Sequence, residues 1–188
     1  MASPPSSSSN IPPDVATLGG SLALRNGSLF HWRPIHSDDA ERLQAFHQRL
    51  SHQTLLFRFF GEMPVLSQEF AERLSHVDYR DRMAIVVTPD AAVEEPIVAV
   101  ARYEQTAPGE AEFALVIEDR WQGQGIGPQI LRALARYARS RGYSALIGNV
   151  MYDNEHMLAM LRHLGIPATH HLHEGRVEVR LDISALDG

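Results

Sequence analysis

The sequence has 188 residues, 44% of them hydrophobic and 21% charged, which is typical of a single water-soluble domain. It contains no cysteine, and its 17 Lys or Arg residues are all arginine, so disulfides, thiolate metal sites, lysine Schiff bases and a lysine-bearing phosphate loop are excluded. The net charge of −6 argues against a nucleic-acid partner, and no apolar run approaches the ~20 residues of a membrane span. The N-terminus does not resemble a signal peptide, so we expect a cytoplasmic protein.

The N-terminus is predicted to be disordered. Residues 1–13 contain five serines and four prolines, and such a segment has little apolar surface to offset the entropy of ordering. We therefore expect residues 1–20 to form a tail and residues 21–188 to form one domain, which is large enough for a single hydrophobic core.

The first half of this domain is predicted to hold a strand and three helices. Residues 29–35 carry β-forming side chains, and Ser37 then offers an N-cap for a helix with an acidic first turn. Ser51 and Ser67 are N-cap candidates for two shorter helices, which Gly61 and Pro64 separate.

The second half is predicted to alternate strands with two helices. Residues 83–87, 97–103 and 111–117 are strand-like runs joined by short turns, which indicates an antiparallel meander. A helix over 125–141, a strand over 145–150, a helix over 154–164 and a final hairpin around Glu174-Gly175 follow. The fold class is therefore α+β, with a mixed, mostly antiparallel, twisted sheet of six to seven strands and flanking helices.

A glycine-rich turn between a predicted strand and a predicted helix carries the strongest functional signal. The run consists of Gln122, Gly123, Gln124, Gly125, Ile126 and Gly127. Three glycines in five positions allow backbone N–H groups to converge at a helix N-terminus, which favours binding of a phosphate or pyrophosphate. The alternative is a tight connection with no ligand. A dinucleotide site is excluded, because the spacing is G-x-G-x-G and the preceding strand belongs to an antiparallel meander.

These residues resemble a known family. Gln122-x-x-Gly125-x-Gly127 is similar to the Q/R-x-x-G-x-G/A acyl-CoA pyrophosphate motif of the GNAT N-acetyltransferases, and the surrounding elements follow the family's order. The resemblance implies the GNAT fold, with a splayed parallel pair of strands at the acyl-CoA site. A narrower likeness, carried by residues 56–60, 76–79, 112–114 and 154–158, is to the acetyltransferase domain of bacterial Pat-type protein lysine acetyltransferases.

The resemblance implies a donor site and a reaction. The co-substrate would be acetyl-CoA, with its pyrophosphate on the backbone of residues 122–127 and its pantetheine arm on the backbone of Val116 and Ile117. Asn154 would bind pantetheine or a water, or would only cap its helix. The acceptor would be a protein lysine ε-amine, with a small-molecule amine as the alternative. A different class of function is also possible, in which the protein binds acyl-CoA as a sensor and catalyses no reaction.

Glu112 is the candidate general base. An amine must lose a proton before it attacks, and related enzymes carry a carboxylate near the start of this strand. Glu112 shares strand parity with Ala114 and Val116, so these three side chains should point to one face of the sheet. The alternative is a solvated glutamate at the strand end.

The sequence leaves alternatives for the general acid and for the arginine stripe of the long helix. Many family members carry a tyrosine at the position of Leu161 to protonate the leaving thiolate; here Tyr152, His156 or solvent would do so, or no acid is needed. No metal is expected, since His171 and His173 on one strand face make a poor site. The stripe of Arg132, Arg136 and Arg139 either attracts the CoA 3′-phosphate or forms a solvated helix face. The protein is expected to be a monomer or a homodimer.

Overall fold

The computed structural model describes residues 11–90 and 96–187, so the first half of the predicted tail lies outside the described residues. The helices are α1 (Pro13–Ala16), α2 (Ala40–Gln48), α3 (His52–Phe59), α4 (Gln68–Ser75), α5 (Ile126–Ser140) and α6 (Glu155–Arg162). The strands are β1 (Gly20–Ala23), β2 (Leu29–Pro34), β3 (Arg82–Pro89), β4 (Ala99–Ala107), β5 (Glu110–Ile117), β6 (Ala145–Met151), β7 (Ala168–His173) and β8 (Arg176–Asp182).

The eight strands form one sheet in the order β1-β2-β3-β4-β5-β6-β8-β7. Every pair is antiparallel except β5 with β6. The α+β class and the parallel pair are therefore confirmed. The sheet has one strand more than the upper end of the predicted range, because the four-residue β1 has no apolar alternation of its own and is stabilised by pairing with β2.

The parallel pair is short, and this shortness positions the site. β5 pairs with β6 only from Glu110↔Ala145 to Glu112↔Ile147. Beyond these residues β5 continues beside β4, while β6 continues beside β8. The two strands therefore diverge after Glu112, which leaves one edge of the second half of β5 open.

The folded domain begins earlier than the sequence predicts. Residues 11–20, assigned to the tail, include α1, and the side chain of Val15 is fully buried in the main core. A salt bridge between Asp14 and Arg141 ties this segment to the end of α5. Local composition did not reveal these contacts, because they join residues far apart in the chain.

The helix caps agree with the sequence at two of three positions. The hydroxyls of Ser51 and Ser67 accept hydrogen bonds from backbone amides at the starts of α3 and α4, at 3.2 Å each. The predicted cap at Ser37 is wrong: residues Ser37–Asp39 form a 3-10 turn before α2. The fully buried Asp39 carboxylate accepts a hydrogen bond from the His36 amide at 2.8 Å. Asp39 therefore caps the N-terminal end of the 3-10 turn in place of Ser37.

Two hydrophobic clusters cover the two faces of the sheet. The larger lies under α5 and includes Ile130, Leu134 and Phe113, and the smaller lies under α2 and α4 and includes Leu43 and Phe46. α5 is buried along its inward side, as its 3.6-residue periodicity predicts. Within the described ranges, no helix is long and apolar enough to cross a bilayer.

Candidate active site

A cavity of about 830 Å³ opens where β5 and β6 diverge. Its walls come from the second half of β5, the glycine-rich turn, the start of α5, α3 and α6. Eight of the ten residues predicted for the site line it: Glu112, Val116, Ile117, Gln122, Gly123, Gly125, Gly127 and Asn154. Gln124 and Ile126 do not, because the Ile126 side chain is buried in the core and the Gln124 carbonyl accepts the Arg25 amide at 3.2 Å.

The backbone of β5 presents hydrogen-bonding groups to this cavity. The Glu118 amide donates to the Val98 carbonyl at 2.9 Å, on the β4 side of the strand. The Ile117 carbonyl instead accepts from the side chain of Gln122 at 3.0 Å, on the open side. Because these directions alternate along a strand, the peptide groups of Leu115 and Ile117 face the open edge and those of Val116 face β4. Of Val116 and Ile117, the two strand residues predicted for the site, only Ile117 turns its peptide groups toward the open edge. Leu115 does so as well, and the sequence analysis did not select it.

The glycine-rich turn adopts a conformation that requires glycine. Gly123 and Gly125 have φ of +70° and +93°, in the left-handed region that L side chains rarely adopt. Gly127 lies in the first turn of α5, and a Cβ there would stand 3.3 Å from the Ile117 side chain. These glycines thus bring the backbone of the turn and the N-terminus of α5 close to the open edge of β5.

A hydrogen-bonded network joins the turn to α3. The Asp119 carboxylate accepts from the Ser51 amide at 2.9 Å, the Ser51 hydroxyl at 2.5 Å and the Thr54 hydroxyl at 2.8 Å. Burial would raise the pKa of Asp119, but these hydrogen bonds hold it below its ordinary value. The side-chain amide of Gln122 also donates to the Thr54 hydroxyl at 3.2 Å. The side chain of Gln122 therefore shapes the turn, and the network fixes α3 relative to it.

Glu112 is exposed and lies where the two strands part. Its chain neighbours Phe113 and Leu115 point to the opposite face, toward α5, so they do not bury it. Across the β4–β5 pair, Glu112 stands opposite Glu104, which does not line the cavity. On the same side of the sheet lies Arg58 of α3, whose pKa is lowered by burial and raised in part by the charge of Glu112.

The remaining candidate residues differ in whether they line the cavity. The Asn154 side chain accepts from the Met157 amide at 3.2 Å, so its role as an N-cap is real, and it also lines the cavity. His156 lines the cavity as well, whereas Tyr152 is exposed outside it and Leu161 is buried in the core. A Cβ on Gly123 would stand 3.8 Å from His156 Nε2, so this histidine lies beside the glycine-rich turn.

The arginine stripe on α5 has one member at the site. Arg132 lines the cavity and donates to the Leu164 carbonyl at 2.9 Å, while Arg136 and Arg139 lie outside it. Arg25, which the sequence reading did not select, lines the same end. These two arginines therefore line the cavity, and Arg25 lies beside the glycine-rich turn, where its amide donates to the Gln124 carbonyl.

The three histidines of β7 do not line the cavity. His170, His171 and His173 are exposed on the outermost strand, β7. Within residues 11–90 and 96–187, three potential ligands come together only at His36, Asp38 and Asp39. There the Asp39 carboxylate already accepts two hydrogen bonds from Arg33, at 2.7 and 2.8 Å.

Comparison with known proteins places this geometry in context. The model of the acetyltransferase (GNAT) family matches residues 41–166. The GNAT domain of PAT from S. lividans superposes with a TM-score of 0.79 at 29% identity, covering 87% of this chain and 96% of that one.

Two curated relatives agree with this match. An acetyltransferase of Pseudomonas aeruginosa is 35% identical over 112 residues, covering 59% of this chain and 60% of that protein. The acetyltransferase Pat of Mycolicibacterium smegmatis is 31% identical over 146 residues, covering 77% of this chain and 43% of that protein. The chain therefore spans about half the length of these relatives.

Proposed function

The chain belongs to the GNAT acetyltransferase family, and on that premise we propose that it is an acetyl-CoA-dependent N-acetyltransferase acting by direct attack in a ternary complex. The observation that carries the proposal is the 830 Å³ cavity between the diverging strands, which has the glycine-rich turn at one end and Glu112 in its wall. No cysteine is present to hold an acyl group, which excludes an acyl-cysteine intermediate and favours direct attack of the amine on the donor.

The residues present fit an acyl-CoA. The turn from Gln122 to Gly127 and the N-terminus of α5 suit a pyrophosphate, because converging N–H groups and the helix dipole both favour anions. Arg25 and Arg132 add positive charge at that end of the cavity. The outward peptide groups of Leu115 and Ile117 suit the amide-bearing pantetheine arm.

The proposed chemistry assigns two tasks to β5. Acetyl-CoA supplies a thioester as the acetyl donor. A backbone N–H on the open edge of β5 would polarise the thioester carbonyl, as preorganised donors do in acyl transfer. Glu112 would remove the proton of the incoming amine, directly or through a water. We assign no acid for the leaving thiolate, because His156 stands at the glycine-rich turn.

For the acceptor, we propose a protein lysine ε-amine. The match to the GNAT domain of PAT, which covers 96% of that domain, supports this choice, as does the likeness to Pat. A small-molecule amine is the second candidate, and the half-buried Arg58 beside Glu112 favours it, because such a cation suits a compact acceptor with an anionic group.

The first experiment separates enzyme from sensor and protein from small acceptors. CoA release is measured with acetyl-CoA alone and with a panel of amines, and cell lysate is labelled with isotopic acetyl-CoA for protein mass spectrometry. We expect amine-dependent CoA release and label on protein lysines. Label confined to small amines would contradict the lysine proposal. CoA binding without transfer to any acceptor would favour the sensor.

The second experiment tests the base. We expect Glu112→Gln to lower kcat by ~10²–10⁴ with little change in the Kd of acetyl-CoA, because proton removal is lost and donor contacts remain. Glu104→Gln is the matched control, since it removes the carboxylate directly opposite on β4 from outside the cavity. Wild-type turnover in Glu112→Gln would remove Glu112 from this role.

A further inference from the structure

An arginine at the wall of the cleft forms no salt bridge with any described residue, although the charge of Glu112 acts on it. Arg58 extends from α3, is half-buried, and lines the large cavity. Among the described residues, no carbonyl or carboxylate accepts a hydrogen bond from its guanidinium; its recorded contact is with the ring of Phe59, 4.9 Å from the ring centroid. A guanidinium presents five donors, and partly buried donors are ordinarily satisfied.

A second arginine adds positive charge at the same place. Arg102 of β4 donates to the Leu74 carbonyl at 2.9 Å and has no carboxylate partner among the described residues. Burial, and then the charge of Arg58, lower the pKa of Arg102 to about 10. Two like charges thus act on each other on one side of the sheet, and the charges of Glu112 and Glu104 offset this repulsion only in part; an anion between the arginines would offset it further.

The space beside these arginines continues into the protein. A cavity of about 40 Å³ is lined mostly by apolar side chains together with Arg58, Arg102 and His47, and it meets the large cavity at Arg58. His47 is 3% exposed and packs against the ring of Phe59. Burial lowers the pKa of His47, so the ring is neutral at neutral pH and retains one N–H donor. Three elements, α2, α3 and β4, therefore each place one nitrogen-bearing side chain at this small cavity.

We propose that Arg58, supported by Arg102, binds an anionic group that the acceptor carries beside its reacting amine. A carboxylate is the chemistry that matches a planar guanidinium, because the two form paired hydrogen bonds. Glu112 stands on the same wall and would hold the amine while Arg58 holds the anion. This inference rests on the proposed function in taking the cleft as the acceptor's site.

Two sources can supply this chemistry. One is the α-carboxylate of a free amino acid, and the other is an Asp or Glu side chain next to a lysine in a protein. The rival explanation for Arg58 is that it only orients Glu112, in which case acceptors with and without a carboxylate would respond alike to its loss.

The test measures binding of matched probes to the CoA-loaded protein by isothermal titration calorimetry. One pair is L-methionine and L-methioninamide; the other is a blocked Glu-Lys peptide and its Gln-Lys counterpart. We expect the acid to bind ~10–100-fold more tightly than the amide in at least one pair, as for a charge-assisted pair of hydrogen bonds. The pair that shows the preference identifies the source.

Variants assign the preference to Arg58. Amidation also alters the basicity of a neighbouring amine, so the decisive quantity is the change in the acid-to-amide affinity ratio between proteins. Arg58→Gln should bring this ratio near one, Arg58→Lys should retain part of it, and Arg136→Gln, an exposed arginine outside both cavities, should leave it as in the wild type.

Three results would overturn the inference: no preference for the acid in the wild-type protein, an equal loss for acid and amide in Arg58→Gln, or a loss of CoA affinity in that variant. The wild-type comparison decides the question even where a variant fails to fold. CoA release measured on the same acceptors keeps the two proposals distinct. A preference without turnover refutes the proposed function alone, and turnover without a preference refutes this inference alone.

Discussion

The divergence of β5 and β6 can be tested by adding one methyl group. Gly148 lies on β6 one residue beyond the last pair with β5, and a Cβ there would stand 2.5 Å from Cε1 and Cζ of Phe113. This separation is roughly 1 Å below the ~3.5 Å at which carbon atoms pack. Phe113 is 3% exposed, so its ring cannot simply move into solvent. The ring and the β5 backbone must shift instead.

The expected cost of Gly148→Ala is that of overpacking, about 1–3 kcal/mol of unfolding free energy. For a chain of this size this corresponds to a decrease in Tm of about 2–12 °C. Because Phe113 precedes the outward peptide groups of β5, we also expect the KM for acetyl-CoA to rise several-fold.

Thermal unfolding and steady-state CoA release measure the two effects. Gly61→Ala is the control, since a Cβ at Gly61 meets no atom within 4 Å and its φ is not positive. Should Gly148→Ala match Gly61→Ala in both Tm and KM, the close contact with Phe113 would not constrain the strands, and the reasoning would be refuted.

Two further predictions concern the donor turn and the folded state. Gly125→Ala places a side chain at φ +93°, which costs about 1–2 kcal/mol of backbone strain. We therefore expect the Kd of CoA, measured by calorimetry, to rise about tenfold. An unchanged Kd would contradict this role of the turn. Burial would raise the pKa of Asp39, but hydrogen bonds from Arg33 and the His36 amide hold it below its ordinary value. This lowered pKa contributes stability above the unfolded-state pKa of ~3.9, and the contribution is lost as the pH falls through the folded-state pKa. In urea unfolding, Asp39→Asn should therefore cost about 3 kcal/mol at pH 7 and distinctly less in acid; an equal loss at both pH values would contradict the assignment.

Local signals predicted the parts of the site that depend on neighbouring residues. The glycine spacing predicted the turn, and Ser51 and Ser67 were recognisable as caps because a cap acts within three residues. The parallel pair followed from the order of strands and helices, since a strand, a helix and a further strand form a crossover. Each of these inferences used a segment no longer than one supersecondary unit.

Contacts between distant segments were not predictable in the same way. Asp119 reaches Ser51 across 68 positions, and Arg58 meets the field of Glu112 only because α3 lies over β5. The sequence analysis used residues 56–60 only for their likeness to a family, and nothing in that run assigned Arg58 a role. The signal that finds Arg58 is a half-buried charge that lines a cavity without a salt bridge to any described residue, and that signal exists only after folding.

The absence of lysine makes these experiments easier to interpret. The chain cannot form Nε-acetyl-lysine on itself, so any such product in a labelling reaction comes from an acceptor. Because the chain has no lysine, arginine supplies the permanently charged cations that line the cleft. Arg102, with its pKa lowered to about 10, remains protonated at pH 6–9, as does Arg58. The preference for a carboxylate should therefore be nearly constant over this range, whereas turnover should rise as the acceptor amine loses its proton. A pH profile of both quantities thus separates anion recognition by Arg58 from deprotonation of the acceptor amine in a single protein.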